Sequence, residues 1–306
     1  MRETLVKKLL EFASKDKNLM LITGDLGYSV FEPLMQNYPN NFLNCGIAEQ
    51  NMIGMSAGFA LSGKKVYAYS ITPFATIRPL EQIRMDLCYH NLPVTVIGAG
   101  AGLSYGALGP SHHGTEDLSV MRSMPNMIVC APADKYELAQ ILDASKNSKS
   151  PMYIRIGRSK EPDVHDVLPN LKISKALNVV DYGNDFAILA CGNMVYNSVQ
   201  VAKALQKHKK NGKVYSMHTL KPIDSALIIS LGKKMPIFTC EEHSIIGGLA
   251  SATSEVLMQN CVCPPIYYNF ALADKFQSKV GTHNFLREIN KLDVDSMVKT
   301  ILKKLI

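Results

Sequence analysis

A chain of 306 residues has room for two domains with substantial cores, and 47% apolar with 19% charged residues is the balance of a soluble globular protein, which excludes intrinsic disorder. The formal charge of +7 is moderate and spread out; its densest cluster, Lys207-His208-Lys209-Lys210, lacks interleaved aromatics and any nucleic-acid motif and reads as a solvated helix end. Small anionic substrates suit that charge better than nucleic acid.

Met1 to Asp16 alternates apolar and charged residues at helical spacing, with Leu5, Leu9 and Phe12 on one side, which predicts a helix and not a signal peptide. Apolar runs follow at Leu19 to Thr23, Phe42 to Cys45, Val66 to Ile71, Val94 to Ile97, Met127 to Ala131 and Met152 to Ile156, each separated by a helical stretch or a glycine-rich loop. The alternation predicts an α/β fold, a mostly parallel sheet with helices on both faces. Ligands of such sheets gather past the carboxyl ends of the strands, where Asp25, Glu49, Phe74, the loop from Gly98 to Gly114 and Arg158 all fall.

Gly46-Ile47-Ala48-Glu49-Gln50-Asn51 directly follows one apolar run, and Met52 to Ala60 after it is small and apolar on nearly every side, so the helix it opens is expected to pack inside the protein. A carboxylate at such a place is costly unless something uses it; the bland alternative for Glu49 is a first-turn glutamate favoured by the helix dipole. Phe74 follows a buried strand, where it either stacks on a flat ring or fills the core. Arg78, Glu81, Arg84 and Asp86 are expected on the following helix, Arg78 reaching an anion or making a surface salt bridge.

The uncharged run from Leu92 to His112 is broken by glycines, Pro93 and Pro110, so it predicts a strand and a loop rather than a membrane span. Within it, Gly98-Ala99-Gly100-Ala101-Gly102 fails the dinucleotide-loop spacing at Leu103. His112 and His113 stand in a glycine-proline loop, where a histidine can hold a substrate oxygen or move a proton at neutral pH. No third ligand stands near the pair, so no metal site is expected there. Arg155 and Arg158 end a strand, where an arginine fork suits a phosphate.

Lys160 to Asp166 is polar and proline-containing, and a new strand pattern starts at Asn178. The expected division is a first domain over 1–165, a linker over 166–177 and a second α/β domain over 178–306. The second half repeats the style, with strands at Phe186 to Ala190, Val214 to Met217, Ile237 to Cys240 and Ile266 to Phe270 and helices at Ser198 to Lys207 and Leu249 to Met258. Seven cysteines, of which only Cys261 and Cys263 are close, are expected to be reduced thiols in a cytoplasmic protein.

Gly-Ile-Ala-Glu-Gln at 46–50 resembles the transketolase group of thiamine-diphosphate enzymes, including 1-deoxyxylulose-5-phosphate synthase and, more distantly, the beta subunits of 2-oxoacid dehydrogenases. Leu108-Gly109-Pro110-Ser111-His112-His113-Gly114, with Asp117-Leu118-Ser119 after it, resembles the same family's Gly-Pro-Thr-His motif. So do His218 to Asp224 and Glu241 to Leu249 its C-terminal domain, which implies structural roles for Glu242 and His243. The resemblance implies that Glu49 activates thiamine diphosphate by hydrogen bonding its pyrimidine ring, with Ile47, Phe74 and Asp25 also at the cofactor. It implies that His112, rather than His113, serves substrate and catalysis, with Arg158 and Arg78 binding substrate.

The family carries its diphosphate and Mg²⁺ on Gly-Asp-Gly and a later Asn-Asn, whereas Gly24-Asp25-Leu26 lacks the second glycine and Asn40-Asn41 comes too soon. The expectation is one subunit of a split enzyme, completed in an α2β2 heterotetramer by an N-terminal transketolase subunit that binds the diphosphate and most of the Mg²⁺. Where transketolases have an acidic pair before Gly-Pro-Thr-His this chain has Ala107-Leu108, and near Gly100 it lacks a histidine they carry, which points to a less hydroxylated or differently shaped sugar. The function expected is transfer of a two-carbon ketol unit between sugars or sugar phosphates. Its alternatives are a decarboxylating subunit of the deoxyxylulose phosphate synthase or 2-oxoacid dehydrogenase beta type, or a non-catalytic assembly subunit.

Overall fold

The computed structural model describes residues 1–158 and 161–306; Lys160, which opens the polar stretch before the expected linker, lies outside them. Its strands are β1 Leu19–Thr23, β2 Phe42–Asn44, β3 Lys65–Ile71, β4 Thr95–Ala99, β5 Ile128–Cys130, β6 Met152–Ile156, β7 Leu177–Asp181, β8 Ala187–Ala190, β9 Lys213–Ser216, β10 Thr219–Lys221, β11 Ile237–Ser244 and β12 Tyr267–Leu272. They form a seven-stranded sheet in the order β10-β5-β6-β4-β3-β1-β2 and a five-stranded sheet in the order β12-β11-β8-β9-β7. Both are parallel except at one edge each, where β10 and β7 run antiparallel.

The central strands β1, β4 and β6 are buried along their whole length, as predominantly apolar runs covered on both faces must be. On one face, Leu5, Leu9 and Phe12 of the helix Arg2–Lys15 pack with Leu138, Ile141 and Leu142 of the helix Lys135–Lys146. Asp134 caps the latter by accepting hydrogen bonds from the Tyr136 and Glu137 amides, worth about 1 kcal/mol. On the other face lies the helix Glu49–Leu61, with Met52, Ile53 and Ala57 in the core. No helix among the described residues is long and apolar enough to cross a membrane.

One expectation needs correction. Arg78 is not on a helix: the chain is helical over Thr72–Thr76, turns through Arg78 and Pro79, and resumes at Leu80, with a π-type helix over Ile83–Tyr89. Pro79 lacks the N–H that a continuous helix needs and disfavours helical backbone at Arg78 before it. The two α/β halves, each with its own sheet, are joined along one edge. After β9 the chain crosses back, and β10 pairs with β5 at the edge of the first sheet, Thr219 opposite Cys130 and Lys221 opposite Val129. One apolar cluster therefore runs through both halves, joining Ala68, Val129 and Tyr153 to Leu189, Met217, Leu220 and Ile228.

Candidate active site

Five neighbouring strands, β6-β4-β3-β1-β2, end on the same side of the first sheet, and each is followed by one of the residues singled out above. Glu49 comes just after β2, as the first residue of its helix, and is 4% exposed. Its two carboxylate oxygens both accept from Arg78 Nη1, at 3.0 Å each. The Arg78 guanidinium lies over the Phe74 ring, 3.8 Å from its centroid. Phe74 meets the His112 ring edge-on at 5.1 Å, His112 meets Tyr105 at 6.2 Å, and Arg158 lies 5.0 Å from the Tyr105 centroid. Glu49, Arg78, Phe74, His112, Tyr105 and Arg158 thus form one connected row across the strand ends. Tyr105 was not expected in it; an isolated tyrosine in a glycine-rich loop carries no local signal.

Asp25 follows β1 and is tied to the end of β2, its amide donating to Asn44 Oδ1 at 2.9 Å and Asn44 Nδ2 donating back to Asp25 Oδ1 at 3.0 Å. Hydrogen bonds from Tyr28 and then Asn44 hold its carboxyl below the usual aspartate range. Ile47, at the tip of the turn before Glu49, is 78% exposed. The space beside Glu49 is kept by Gly24, where a Cβ would stand 3.4 Å from Glu49 Cγ.

The loop after β4 is built on glycines for reasons of space, not nucleotide binding. Gly100 has φ +91° and a Cβ there would collide with the Tyr105 ring at 2.2 Å; Gly102 has φ +57° and would strike the Glu242 carboxylate at 2.3 Å. His112 is half-buried with Nδ1 3.0 Å from Ser111 Oγ, and burial, then the Arg78 cation, lowers its pKa. His113 turns inward and is buried, which lowers its pKa too. Of the two histidines, only His112 stands in the row.

Beneath the row lies a buried polar layer that sequence reading did not assemble. Arg155 is 2% exposed, 3.1 Å from Asp117 Oδ2, and donates to the carbonyls of Gly114 and, at 2.8 Å, Glu242. It is therefore withdrawn from any phosphate, which leaves Arg158 as the exposed half of the expected fork. Glu242 accepts from the Leu103 amide at 3.1 Å, His283 Nε2 at 2.8 Å and Arg287 Nε at 2.5 Å. Burial pushes its carboxyl up, but Arg287 and His283 outweigh that and hold it well below the usual glutamate range. These partners lie far apart in sequence, so no local pattern announces them.

A dry carboxylate near a flat aromatic fits an aminopyrimidine, whose ring nitrogen can share a proton with the carboxyl and whose face can stack. Among the described residues no three His, Cys, Asp or Glu side chains are grouped to hold a metal ion.

Compared with known proteins, residues 1–162 match the family described as transketolase, pyrimidine binding domain, and residues 174–267 that described as transketolase, C-terminal domain. The chain is 35% identical over 264 residues to a subunit of the apulose-4-phosphate transketolase of Phocaeicola vulgatus, covering 85% of this chain and 84% of that one. It is 33% identical over 301 residues to the 6-deoxy-6-sulfo-D-fructose transketolase subunit SqwH of a Clostridium species, covering 98% and 92%. A solved split gene transketolase, an inactive beta4 tetramer, superposes with a TM-score of 0.90 at 33% identity over 99% of this chain and 97% of the other.

Proposed function

The chain belongs to the transketolase family and is a transketolase subunit of the split type, and from that premise we propose that Glu49 is the carboxylate by which it activates thiamine diphosphate. The observation that carries this is the placing of a buried carboxylate and the face of Phe74 together at the strand ends. Bound there, the cofactor supplies a nucleophilic carbon that accepts and releases a two-carbon ketol unit. Glu49 holds and shares the proton at the pyrimidine nitrogen, Phe74 offers the stacking face, and Asp25 and Ile47 line the cofactor's approach. His112, neutral because burial and Arg78 disfavour its charged form, hydrogen-bonds a substrate oxygen and moves its proton through Nε2, since Nδ1 is engaged by Ser111. Arg158 binds the anionic end of the substrate.

Diphosphate and most of the Mg²⁺ belong in this reading to a partner, an N-terminal transketolase subunit, in a cytoplasmic α2β2 assembly. Alone, the chain self-associates without activity, as the beta4 relative does. Calorimetry with thiamine diphosphate and Mg²⁺, on the chain with and without its partner, tests this. Tight binding to the pair alone is expected; tight binding to the isolated chain would overturn it. On the pair, kcat/KM decides the sugar. Leu108 is 51% exposed at the mouth of the loop and offers no hydrogen bond to a hydroxyl. Relatives named for apulose 4-phosphate and 6-deoxy-6-sulfofructose support a substrate other than the common pentose phosphates. Fast turnover of xylulose 5-phosphate would remove that proposal.

A further inference from the structure

We propose that Arg78 is a built-in stand-in for the pyrimidine ring, closing the site of the free subunit until that ring displaces it. Its guanidinium is a flat, delocalised cation. It bonds both Glu49 oxygens from Nη1 at 3.0 Å each, and it lies 3.8 Å from the centroid of the Phe74 ring. A ring that stacks on Phe74 and shares a proton with Glu49 needs the same two surfaces, so the two occupants exclude each other. The contact also gives Glu49 a partner, because a bare carboxylate buried as deeply as this one is costly.

The side chain is placed to leave. It is 47% exposed and springs from the turn at Pro79, between helices, so rotation about its own bonds clears the site without moving either helix. Its backbone stays anchored, the amide donating to the Pro73 carbonyl at 3.3 Å. Affinity for the pyrimidine is then reduced by the fraction of subunits in which Arg78 has swung out. This proposal rests on the reading of Glu49 and Phe74 as the pyrimidine site.

The test uses 4-amino-5-hydroxymethyl-2-methylpyrimidine, which lacks the thiazolium and diphosphate and so asks only about this subunit. It is titrated by calorimetry into the full chain as wild type, Arg78→Met and Arg78→Lys, with melting of each variant followed in parallel. Arg78→Met is expected to bind about tenfold tighter than wild type, and Arg78→Lys, which keeps the charge but not the planar fork, to fall between. In labelled wild-type protein, the Arg78 side-chain nitrogen resonances are expected to move to solvent-exposed values as the pyrimidine saturates, a readout that needs no variant to fold. Equal affinities with unmoved resonances would overturn the gate and leave the pyrimidine site standing. Weaker binding to Arg78→Met would make Arg78 a holder of the ring and also overturn it. Absence of binding to every form would overturn both the gate and the assignment of Glu49 and Phe74.

Discussion

Glu49 shows what a single residue contributes when the fold dries its surroundings: its carboxylate sits 4% exposed at the start of a helix that is apolar on nearly every side. Glu49→Gln keeps the shape and removes the ionisable proton. The reconstituted enzyme is expected to lose about 10²–10⁴-fold in kcat, while calorimetry of the isolated chain shows melting within a few degrees of wild type. Loss of the fold with activity would mean that Glu49 is structural. His112 is tested by pH. Burial first and the Arg78 cation second lower its pKa below 6.5, so the folded chain binds this proton less readily than the unfolded chain. Its contribution to stability is then complete above about pH 6.5 and lost as pH falls through the folded value. Histidine NMR is expected to show His112 titrating below 6.5 and moving back toward that value in Arg78→Met; an unchanged pKa there would refute the assigned coupling. At this scale the motif around Glu49 was legible because Gly46 to Asn51 is continuous in sequence; its pairing with Arg78 was not. Nor was Arg155, because its ion pair joins β6 to Asp117 at the start of a helix distant in sequence.

Among elements, the parallel strands were readable because strands buried on both faces leave continuous apolar runs, and β1 and β6 coincide with the runs at Leu19 to Thr23 and Met152 to Ile156. Strand β10 was missed: at three residues it has no periodicity of its own, and only its pairing with β5 defines it. The loop after β4 belongs to the same class, since its conformation is fixed by a carboxylate from β11, Glu242, holding the Leu103 amide. Glu242→Ala leaves the buried Leu103 amide without its acceptor and takes the carboxylate partner from half-buried Arg287, and is expected to cost about 3–5 kcal/mol in denaturant unfolding. Hydrogen exchange at Leu103 should rise well above the global change; protection kept at wild-type level would show that the loop holds itself. The Glu242 carboxyl lies below the ordinary glutamate range when folded. Its stabilising effect is therefore present above about pH 4.5 and lost as pH falls through the folded value, and Glu242→Ala should flatten the acid limb of the stability curve.

For the molecule as a whole, the apolar cluster that joins Val129 and Tyr153 to Leu189, Met217 and Ile228 argues against two independent units. Two α/β halves were legible from the strand pattern and the polar stretch between them. Their union through β10 was not, because a crossover between sheets is written only in long-range packing. The expected outcome is a single thermal transition, with calorimetric and van't Hoff enthalpies in agreement and probes in the two halves melting together. Two resolved transitions would show that the shared cluster is too weak to couple them.

The return of β10 also imposes an order in time. On the ribosome, β5 and β6 emerge well before Thr219 to Lys221, so the first sheet waits with β5 as a bare edge until the strand that covers it has been made. At about 5–20 residues per second that interval lasts seconds, far longer than a strand takes to pair. Nascent chains are thus exposed to edge-to-edge association through β5 during synthesis, a hazard that shrinks once the three-residue β10 becomes the edge in its place.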